Sequence, residues 1–223
     1  MADEKGRMLN YPIDKSSMFN RLSIDKPNGF SLIELIIVVA IVAILAAAAV
    51  PYFGGWVQDT KTRTVAEALQ NGVRLAQTEA IRRSRQVSFV LTNDTPSNLS
   101  ANPNPSNTGI NWSVQTIALN AADTNDGAIF IQGAALGNAS SNVVVTGRTL
   151  ASSTSVISAT DAANASITFN SIGRVVSPAL PPYFAVTNAS GKRRLNIMVT
   201  IAGRVRMCDP DKIFDAAQQP DGC

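Results

Sequence analysis

The sequence contains no histidine and only two cysteines. Histidine is the commonest general base and the commonest metal ligand in proteins, so its absence removes the usual partner of a nucleophilic serine. The sequence also lacks a G-x-S-x-G motif and a P-loop, which mark common hydrolase and nucleotide-binding sites. A four-ligand zinc site would need histidines beside the two cysteines. The composition therefore argues against catalysis and makes a membrane-tethered enzyme a remote alternative.

Charged residues are also few. They make up 16% of the chain and give a formal net charge of only +3. Hydrophobic residues make up 45%, which is enough to form a core. The length of 223 residues allows one domain with a long additional element, or two small domains.

Both cysteines, Cys208 and Cys223, lie at the C-terminal end. A pair that closes a short loop beyond an apolar N-terminal segment favours a disulfide in an oxidising compartment, with two reduced thiols as the alternative. In the chain-entropy description such a bridge stabilises the fold by roughly 3 kcal/mol. The loop carries several aspartates, but the spacing of a calcium loop and its final glutamate are missing. We therefore predict no metal site and no cofactor.

One long hydrophobic run lies near the N-terminus. Phe30 to Val50 contains only Ser31 and Glu34 as polar residues. A helix of this length spans about 30 Å, the thickness of the hydrocarbon core of a bilayer. A carboxylate at membrane depth costs about 2.5–3.5 kcal/mol, so Glu34 requires an explanation.

Three interpretations of this run compete. A secretory signal peptide would have a shorter apolar region and no carboxylate. A plain membrane anchor leaves Glu34 unexplained. The third is a helix that is later buried against identical or related helices, where Glu34 meets a positive partner. We favour the third, because such a pair gives register in a low-dielectric core even where it adds no net stability.

The stretch GFSLIELIIVVAIVAILAAAAVPYF, residues 29–53, resembles the N-terminal region of type IV pilins and type II secretion pseudopilins. The resemblance implies that a prepilin peptidase cleaves after Gly29 and that Phe30, the new N-terminal residue, is N-methylated. It also implies that Glu34 pairs with the N-terminal amine of a neighbouring subunit and that the helix bends or loosens at Pro51. The implied partners are other pilins or pseudopilins, the prepilin peptidase and the inner membrane.

The leader before the cleavage point, residues 1–29, is longer than leaders of this family usually are. Met1, Met8 and Met18 are all available as start residues. Lysine and arginine in the leader agree with the positive-inside tendency. This places the leader in the cytoplasm and the rest of the chain in the periplasm.

After Pro51 the hydrophobic pattern becomes amphipathic. Apolar residues recur at spacings of three to four, with one gap of eight, at Val57, Val65, Leu69, Val73, Ala76 and Ala80. This predicts that the helix continues to about Ser84 and packs its apolar face on a globular domain. The arginines at its end, Arg82, Arg83 and Arg85, lie where cations interact favourably with the helix dipole.

From Gln86 onward the sequence is rich in strand signals. The predicted strands lie in QVSFVLT, WSVQTIAL, AIFIQ, NVVVTG, ASITFNSIGRVV, YFAVTN and RLNIMVTIAGRVRMC, with SIGR and NASGK as turns and residues 93–111 as a loop of unknown contacts. The pattern predicts an α+β protein with the type IV pilin fold, a long N-terminal helix packed on an antiparallel sheet domain. It does not decide between one sheet and two.

Two late stretches, ASITFNSIGRVV and RRLNIMVTIAGRVRMCDP, resemble the GspH/FimT family of minor pilins and pseudopilins, which includes FimT-like and FimU-like proteins. Many members have a late strand that ends in a glycine–arginine motif, then a cysteine, then a C-terminal cysteine. The matching residues here are Gly203, Arg204, Cys208 and Cys223.

Five basic residues open and close the region of the last predicted strand: Lys192, Arg193 and Arg194 at its start, and Arg204 and Arg206 towards its end. Arg204 and Arg206 are two residues apart, so on a strand their side chains share a face, and Gly203 lets the backbone turn or approach a partner closely. Arginine suits phosphate because its planar fork donates two hydrogen bonds. In the resembling family the Gly-Arg-x-Arg pattern contacts DNA, which implies double-stranded DNA as a partner of these residues. A solvated strand end, or pairing with Asp209 and Asp211, is the alternative.

The sequence therefore predicts a minor type IV pilin of a Gram-negative bacterium, structural and at or near the pilus tip. The predicted segments are a leader (1–29), a transmembrane or filament-core helix (30–50), an amphipathic periplasmic helix (51–85) and a periplasmic β-rich domain with a disulfide loop (86–223). A minor pseudopilin of a type II secretion system is the alternative.

Overall fold

The computed structural model describes residues 29–97, 103–119, 127–137, 141–153, 157–158 and 160–223. Most of the predicted leader, including its three possible start residues, lies outside the described residues, as does the middle of the predicted loop, residues 98–102. The chain divides into two compact units between Ala48 and Ala49.

A long helix, α1, spans Leu32–Arg83, close to the bounds that the sequence predicts. It ends where Ser84 adopts a φ of 51° and Arg85 N–H bonds to the carbonyl of Ala80 at 3.2 Å. A left-handed residue with such a bond is a common way to stop a helix. By length and composition, no single helix among the described residues qualifies as a membrane span. Two parts of α1, Leu32–Ala48 and Phe53–Arg83, meet the criterion only when they are taken together.

The described part of the first unit exposes its apolar side chains. Phe30 is 83% exposed, and even Ile41, in the middle of the run, is 52% exposed. Glu34 lies in the first turn of α1 and is also exposed. A contiguous apolar surface of this kind is rare on a soluble monomer and marks contact with lipid or with other proteins.

The second unit contains ten strands among the described residues. They are β1 Val87–Thr92, β2 Asn111–Thr116, β3 Phe130–Ala134, β4 Val143–Thr149, β5 Ala162–Ala163, β6 Ser166–Phe169, β7 Val175–Ser177, β8 Pro182–Asn188, β9 Leu195–Val199 and β10 Val205–Cys208. Their bounds agree with the predicted strand segments except at β5, which has no signal in the sequence, and at the β9–β10 region, predicted without a break.

These strands form two antiparallel sheets, which answers the question that the sequence left open. Sheet A has the order β3-β2-β1-β6-β7, and sheet B has the order β10-β9-β8-β4-β5. In sheet A, Val87 of β1 lies between Thr116 of β2 and Phe169 of β6. In sheet B, Phe184 of β8 lies between Gly147 of β4 and Ile197 of β9. The central strands of both sheets are therefore paired across long stretches of sequence.

One face of α1 forms the core with the two sheets. The buried helix residues include Val65, Leu69, Val73, Ala76 and Ala80, all with no exposed surface. They pack with Phe89 of β1 and Phe184 of β8, whose ring centroids are 5.3 Å apart. The predicted apolar face is confirmed at these positions. Val57, which belonged to the same pattern, is 42% exposed and is not part of the core.

Candidate functional site

The residues predicted for processing and assembly lie at the start of the first unit. Gly29 and Phe30 precede α1 and have no regular secondary structure. The helical bond pattern begins with Leu35 N–H, which donates to the carbonyl of Ser31 at 3.2 Å. Glu34 is one residue earlier, so its carboxylate lies beside the positive end of the helix dipole. The peptide bond between Gly29 and Phe30 is thus outside the helix.

The C-terminal loop is closed by a disulfide between Cys208 and Cys223, in agreement with the predicted pairing. Backbone bonds also hold the loop: Asp209 N–H donates to Asp221 at 2.7 Å, and Cys223 N–H donates to Asp209 at 3.2 Å. Lys212 pairs with Asp221 at 2.5 Å and lowers the pKa of that carboxyl below its usual range. The carboxylate of Asp221 and the backbone of Asp209 therefore support the structure of this loop.

Arg194 is one of the five predicted DNA-binding residues, and it contacts this loop. Its guanidinium forms an ion pair with the carboxylate of Asp211, which lowers the pKa of Asp211 and raises that of Arg194. The pairing with Asp211 is the alternative role that the sequence left open for these arginines.

Arg206 is also occupied. Its guanidinium carbon lies 4.8 Å from the ring centroid of Phe214, and its Nη2 donates to the carbonyl of Gly222 at 3.0 Å. Both partners belong to the disulfide loop. A cation over an aromatic face and a bond to a carbonyl hold a loop in place, so Arg206 supports the C-terminal loop.

Arg204 has a different environment from Arg206. The region predicted as one strand is a hairpin, and Arg204 lies in its turn, before β10 begins at Val205. Thr200 N–H donates to the carbonyl of Arg204 at 3.0 Å, and Gly203 N–H donates to the carbonyl of Thr200 at 2.8 Å. Gly203 has a φ of +90°, a conformation that favours glycine. The turn leaves the side chain of Arg204 exposed.

The β6–β7 turn repeats this geometry. Asn170 N–H donates to the carbonyl of Arg174 at 2.9 Å, and Gly173 N–H donates to the carbonyl of Asn170 at 2.9 Å. Gly173 has a φ of +76°, and the side chain of Arg174 is exposed. Sequence reasoning identified SIGR as a turn but did not count Arg174 as a functional residue. A signal for Arg174 was present in the sequence, because both turns end in a Gly-Arg pair.

Gln77 of α1 joins the two turns. Its side-chain amide donates to the carbonyl of Gly173 at 2.8 Å and to the carbonyl of Gly203 at 2.9 Å. A further bond runs from Val175 N–H to the carbonyl of Ile201 at 3.0 Å. The edge of sheet A and the last hairpin of sheet B therefore meet at one point on the helix.

Lys192 and Arg193 lie elsewhere. Their backbone N–H groups both donate to Oδ1 of Asp59 on α1 at 3.0 Å, and their side chains are exposed. They precede β9, whereas Arg204 follows it, and a five-residue strand is about 17 Å long. The structure therefore divides the five predicted basic residues between the two ends of β9 and the disulfide loop.

A groove of about 840 Å³ covers the outer face of sheet B between the disulfide loop and residues 157–158. Its floor includes Tyr183 and Met198, and its rim includes Arg148 and Ile213. The Tyr183 hydroxyl donates to Oδ2 of Asp161 at 2.9 Å, and burial together with this contact raises the pKa of Tyr183. Among the described residues, no group of three acidic or cysteine side chains is placed to hold a metal ion.

Comparison with known proteins identifies the family. The model of the family described as "Type II transport protein GspH" matches residues 65–203, and the "Prokaryotic N-terminal methylation motif" matches residues 25–50. The first match covers more than half of the chain, and the chain belongs to this GspH family. The predicted family and the type IV pilin class of fold are confirmed.

Solved structures of related proteins show weaker similarity. A crystal structure of the type IV minor pilin FimU of Pseudomonas aeruginosa is 16% identical, with a TM-score of 0.40, and the match covers 67% of this chain and 94% of FimU. The minor pseudopilin EpsH of Vibrio cholerae is 11% identical, with a TM-score of 0.42 and coverage of 68% and 99%. The solution structure of Escherichia coli GspH is 10% identical, with a TM-score of 0.41 and coverage of 71% and 95%. No curated protein matches the chain significantly.

Proposed function

We propose that this GspH-type minor pilin or pseudopilin is a subunit of a type IV pilus, incorporated at or near the tip. The observation that carries the filament role is the methylation motif over residues 25–50, because the helical part of this motif exposes its apolar side chains. The lipids of the inner membrane can cover such a surface before assembly, and neighbouring helices can cover it afterwards. Cleavage between Gly29 and Phe30 would free the amine that Glu34 of a neighbouring subunit can meet.

Deletion of the gene and complementation test this role. The deletion strain should lose piliation or have fewer pili, and the parent chain should restore them. Glu34→Ala should insert in the membrane normally but fail to restore assembly. The N-terminal amine of the neighbouring subunit would lack the carboxylate with which it pairs in the filament. Glu67→Ala removes an exposed glutamate from the second unit and should assemble normally. Normal assembly of the Glu34 variant would show that its carboxylate is incidental.

A pseudopilin of a type II secretion system is the second candidate. The description of the matching family as a type II transport protein favours it. The deletion strain distinguishes the two roles, because a pseudopilin should be required for protein secretion and leave surface pili unchanged. Loss of secretion with normal piliation would replace the pilus proposal by this one.

We further propose that the pilus subunit binds double-stranded DNA during natural transformation, through Arg204 with Gly203, Arg206, Lys192, Arg193 and Arg194. The exposed side chain of Arg204 at a turn, in the Gly-Arg-x-Arg pattern, supports this proposal. Contacts between arginine and phosphate are independent of sequence and weaken with salt.

A DNA-binding assay tests the proposal directly. Binding of a fluorescent 20-base-pair duplex to the full chain in non-ionic detergent micelles is measured by anisotropy over a salt series. Binding should weaken steeply with salt, and Arg204→Ala with Arg206→Ala should weaken it further. Equal binding by this double variant and the parent would exclude the motif as the DNA site.

A further inference from the structure

The two glycine–arginine turns are equivalent in structure and lie against each other. Each has a glycine with positive φ, followed by an arginine whose carbonyl accepts a bond from the residue that opens the turn. A Cβ placed on Gly203 would lie 2.1 Å from the carbonyl oxygen of Gly173. The arginines directly follow these glycines, one Cα step of about 3.8 Å away. Their Cα atoms are therefore close enough for both side chains to reach one ligand.

Both arginine side chains face solvent. Val175 and Val205 follow the two arginines, and both pack on the hydrophobic core. Because successive residues of an extended chain alternate in direction, Arg174 and Arg204 point away from the core. Both are exposed, and neither guanidinium forms a hydrogen bond or ion pair with the residues that the structure describes.

The charge around the two arginines is positive. The turn residues from Asn170 to Arg174 and from Thr200 to Arg204 include no acid. On α1, the exposed Arg74 lies three residues before Gln77 and therefore on the same side of the helix. The acid that follows along the helix, Glu79, is bound by both Arg82 and Arg83. An anion that approaches the turns meets unopposed guanidinium groups.

We infer that Arg174 and Arg204, held together by Gln77, form a two-arginine clamp for the phosphodiester backbone of DNA. This inference rests on the proposed DNA binding and changes which residues are proposed to contact the DNA. The partner of Arg204 is Arg174, from another hairpin and another sheet, and Arg206 of the sequence motif supports the disulfide loop. Two guanidinium groups carried by turns that Gln77 holds together can contact neighbouring phosphates of one strand.

Single substitutions in the full chain, assayed with the 20-base-pair duplex in micelles, test the clamp. Arg174→Ala and Arg204→Ala should each weaken binding about tenfold and reduce the slope of log affinity against log salt by about 0.9, the value for one lost phosphate contact. Arg174→Lys should retain most of the affinity because the charge remains. Thermal unfolding of Arg174→Ala should match that of the parent, since the guanidinium is exposed and bonds to none of the described residues.

Two further variants separate the clamp from general charge and from loop support. Arg63→Ala removes an arginine that is 60% exposed and paired with Glu67 on α1, and its binding should equal that of the parent. Arg206→Ala should lower thermal stability while it keeps the salt slope of the parent. If Arg174→Ala binds as well as the parent, the clamp is wrong but DNA binding stands. If the parent itself does not bind the duplex, both proposals fail.

Discussion

The carbonyl oxygen of Gly173 lies against Gly203, so close that a Cβ on Gly203 would be 2.1 Å from it. This contact joins sheet A to sheet B at their hairpin turns. Both glycines have positive φ, so each turn requires glycine for its own conformation. The close approach adds a second requirement at Gly203 alone, because the neighbouring atom there is backbone and cannot rotate away.

Gly203→Ala should therefore destabilise the second unit more than Gly173→Ala. The left-handed conformation costs roughly 1–2 kcal/mol in either variant. At Gly173 the nearest atom to a new Cβ is Cδ1 of Ile81, at 2.9 Å, and this flexible side chain can move. Chemical denaturation followed by near-ultraviolet circular dichroism measures the difference.

Gly127→Ala is the matched control, because nothing lies within 4 Å of a Cβ at that position. Its stability should equal that of the parent. Equal losses for Gly173→Ala and Gly203→Ala would show that the two turns separate easily and that their contact does not constrain the fold.

Gln77→Ala should destabilise the fold by about 1–3 kcal/mol, since it removes two hydrogen bonds of about 0.5–1.5 kcal/mol each. Gln77→Glu should cost more at neutral pH, because a carboxylate would face two carbonyl oxygens. Thr78→Ala at the next position, where the hydroxyl donates only to the carbonyl of Arg74 within the helix, should have a small effect. A Gln77→Ala variant as stable as the parent would mean that the amide does not fasten the turns.

Replacement of both cysteines by serine should destabilise the second unit by roughly 3 kcal/mol, the loop-entropy value for a bridge across about 15 residues. The same change should weaken the packing of Phe214 on Arg206, which the closed loop positions. Denaturation of the parent and the double variant in the absence of reductant measures the loss. The parent in reductant should resemble the variant, and a parent that is insensitive to reductant would contradict a structural role for the bridge.

The stabilisation from the ion pairs at the end of α1 should decrease at acid pH. The hydrogen bond from Arg82, followed in importance by the one from Arg83, lowers the pKa of Glu79 from 4.5 to about 2. Since the folded-state pKa is lowered, the stabilisation from Glu79 is fully present above its unfolded value and is lost as the pH falls towards 2. Glu79→Gln should thus be less stable than the parent at pH 7, and the difference should vanish as the pH falls through the folded-state pKa of about 2. A difference that persists at the lowest pH would assign the effect to packing.

The helix and most strands could be predicted because their signals are local. The spacing of Val65, Leu69 and Val73 specifies a helix face, and β-rich runs specify strands. The division into two sheets could not be predicted, since it depends on pairings between residues far apart in sequence, such as Val87 with Phe169. The hairpin at Gly203 was missed because the apolar residues on either side of it form an almost continuous run.

The candidate site shows the same limit. A motif can indicate that Arg204 and Arg206 share a strand face, but it cannot show that Phe214 and Gly222 occupy one of them. Arg174 was overlooked because its significance comes only from the turn that packs beside it. The sequence predicted basic residues near the C-terminus, and the structure decides which of them are available to a ligand.

The side-chain amide of Gln77 gives this protein a natural spectroscopic reporter. Its two N–H protons are directed at carbonyls from different sheets, so they should give resolved, slowly exchanging resonances in a side-chain amide spectrum. A ligand that tightens or spreads the two hairpins would shift both resonances together. A ligand bound elsewhere, for example in the groove over Tyr183, would leave them unchanged.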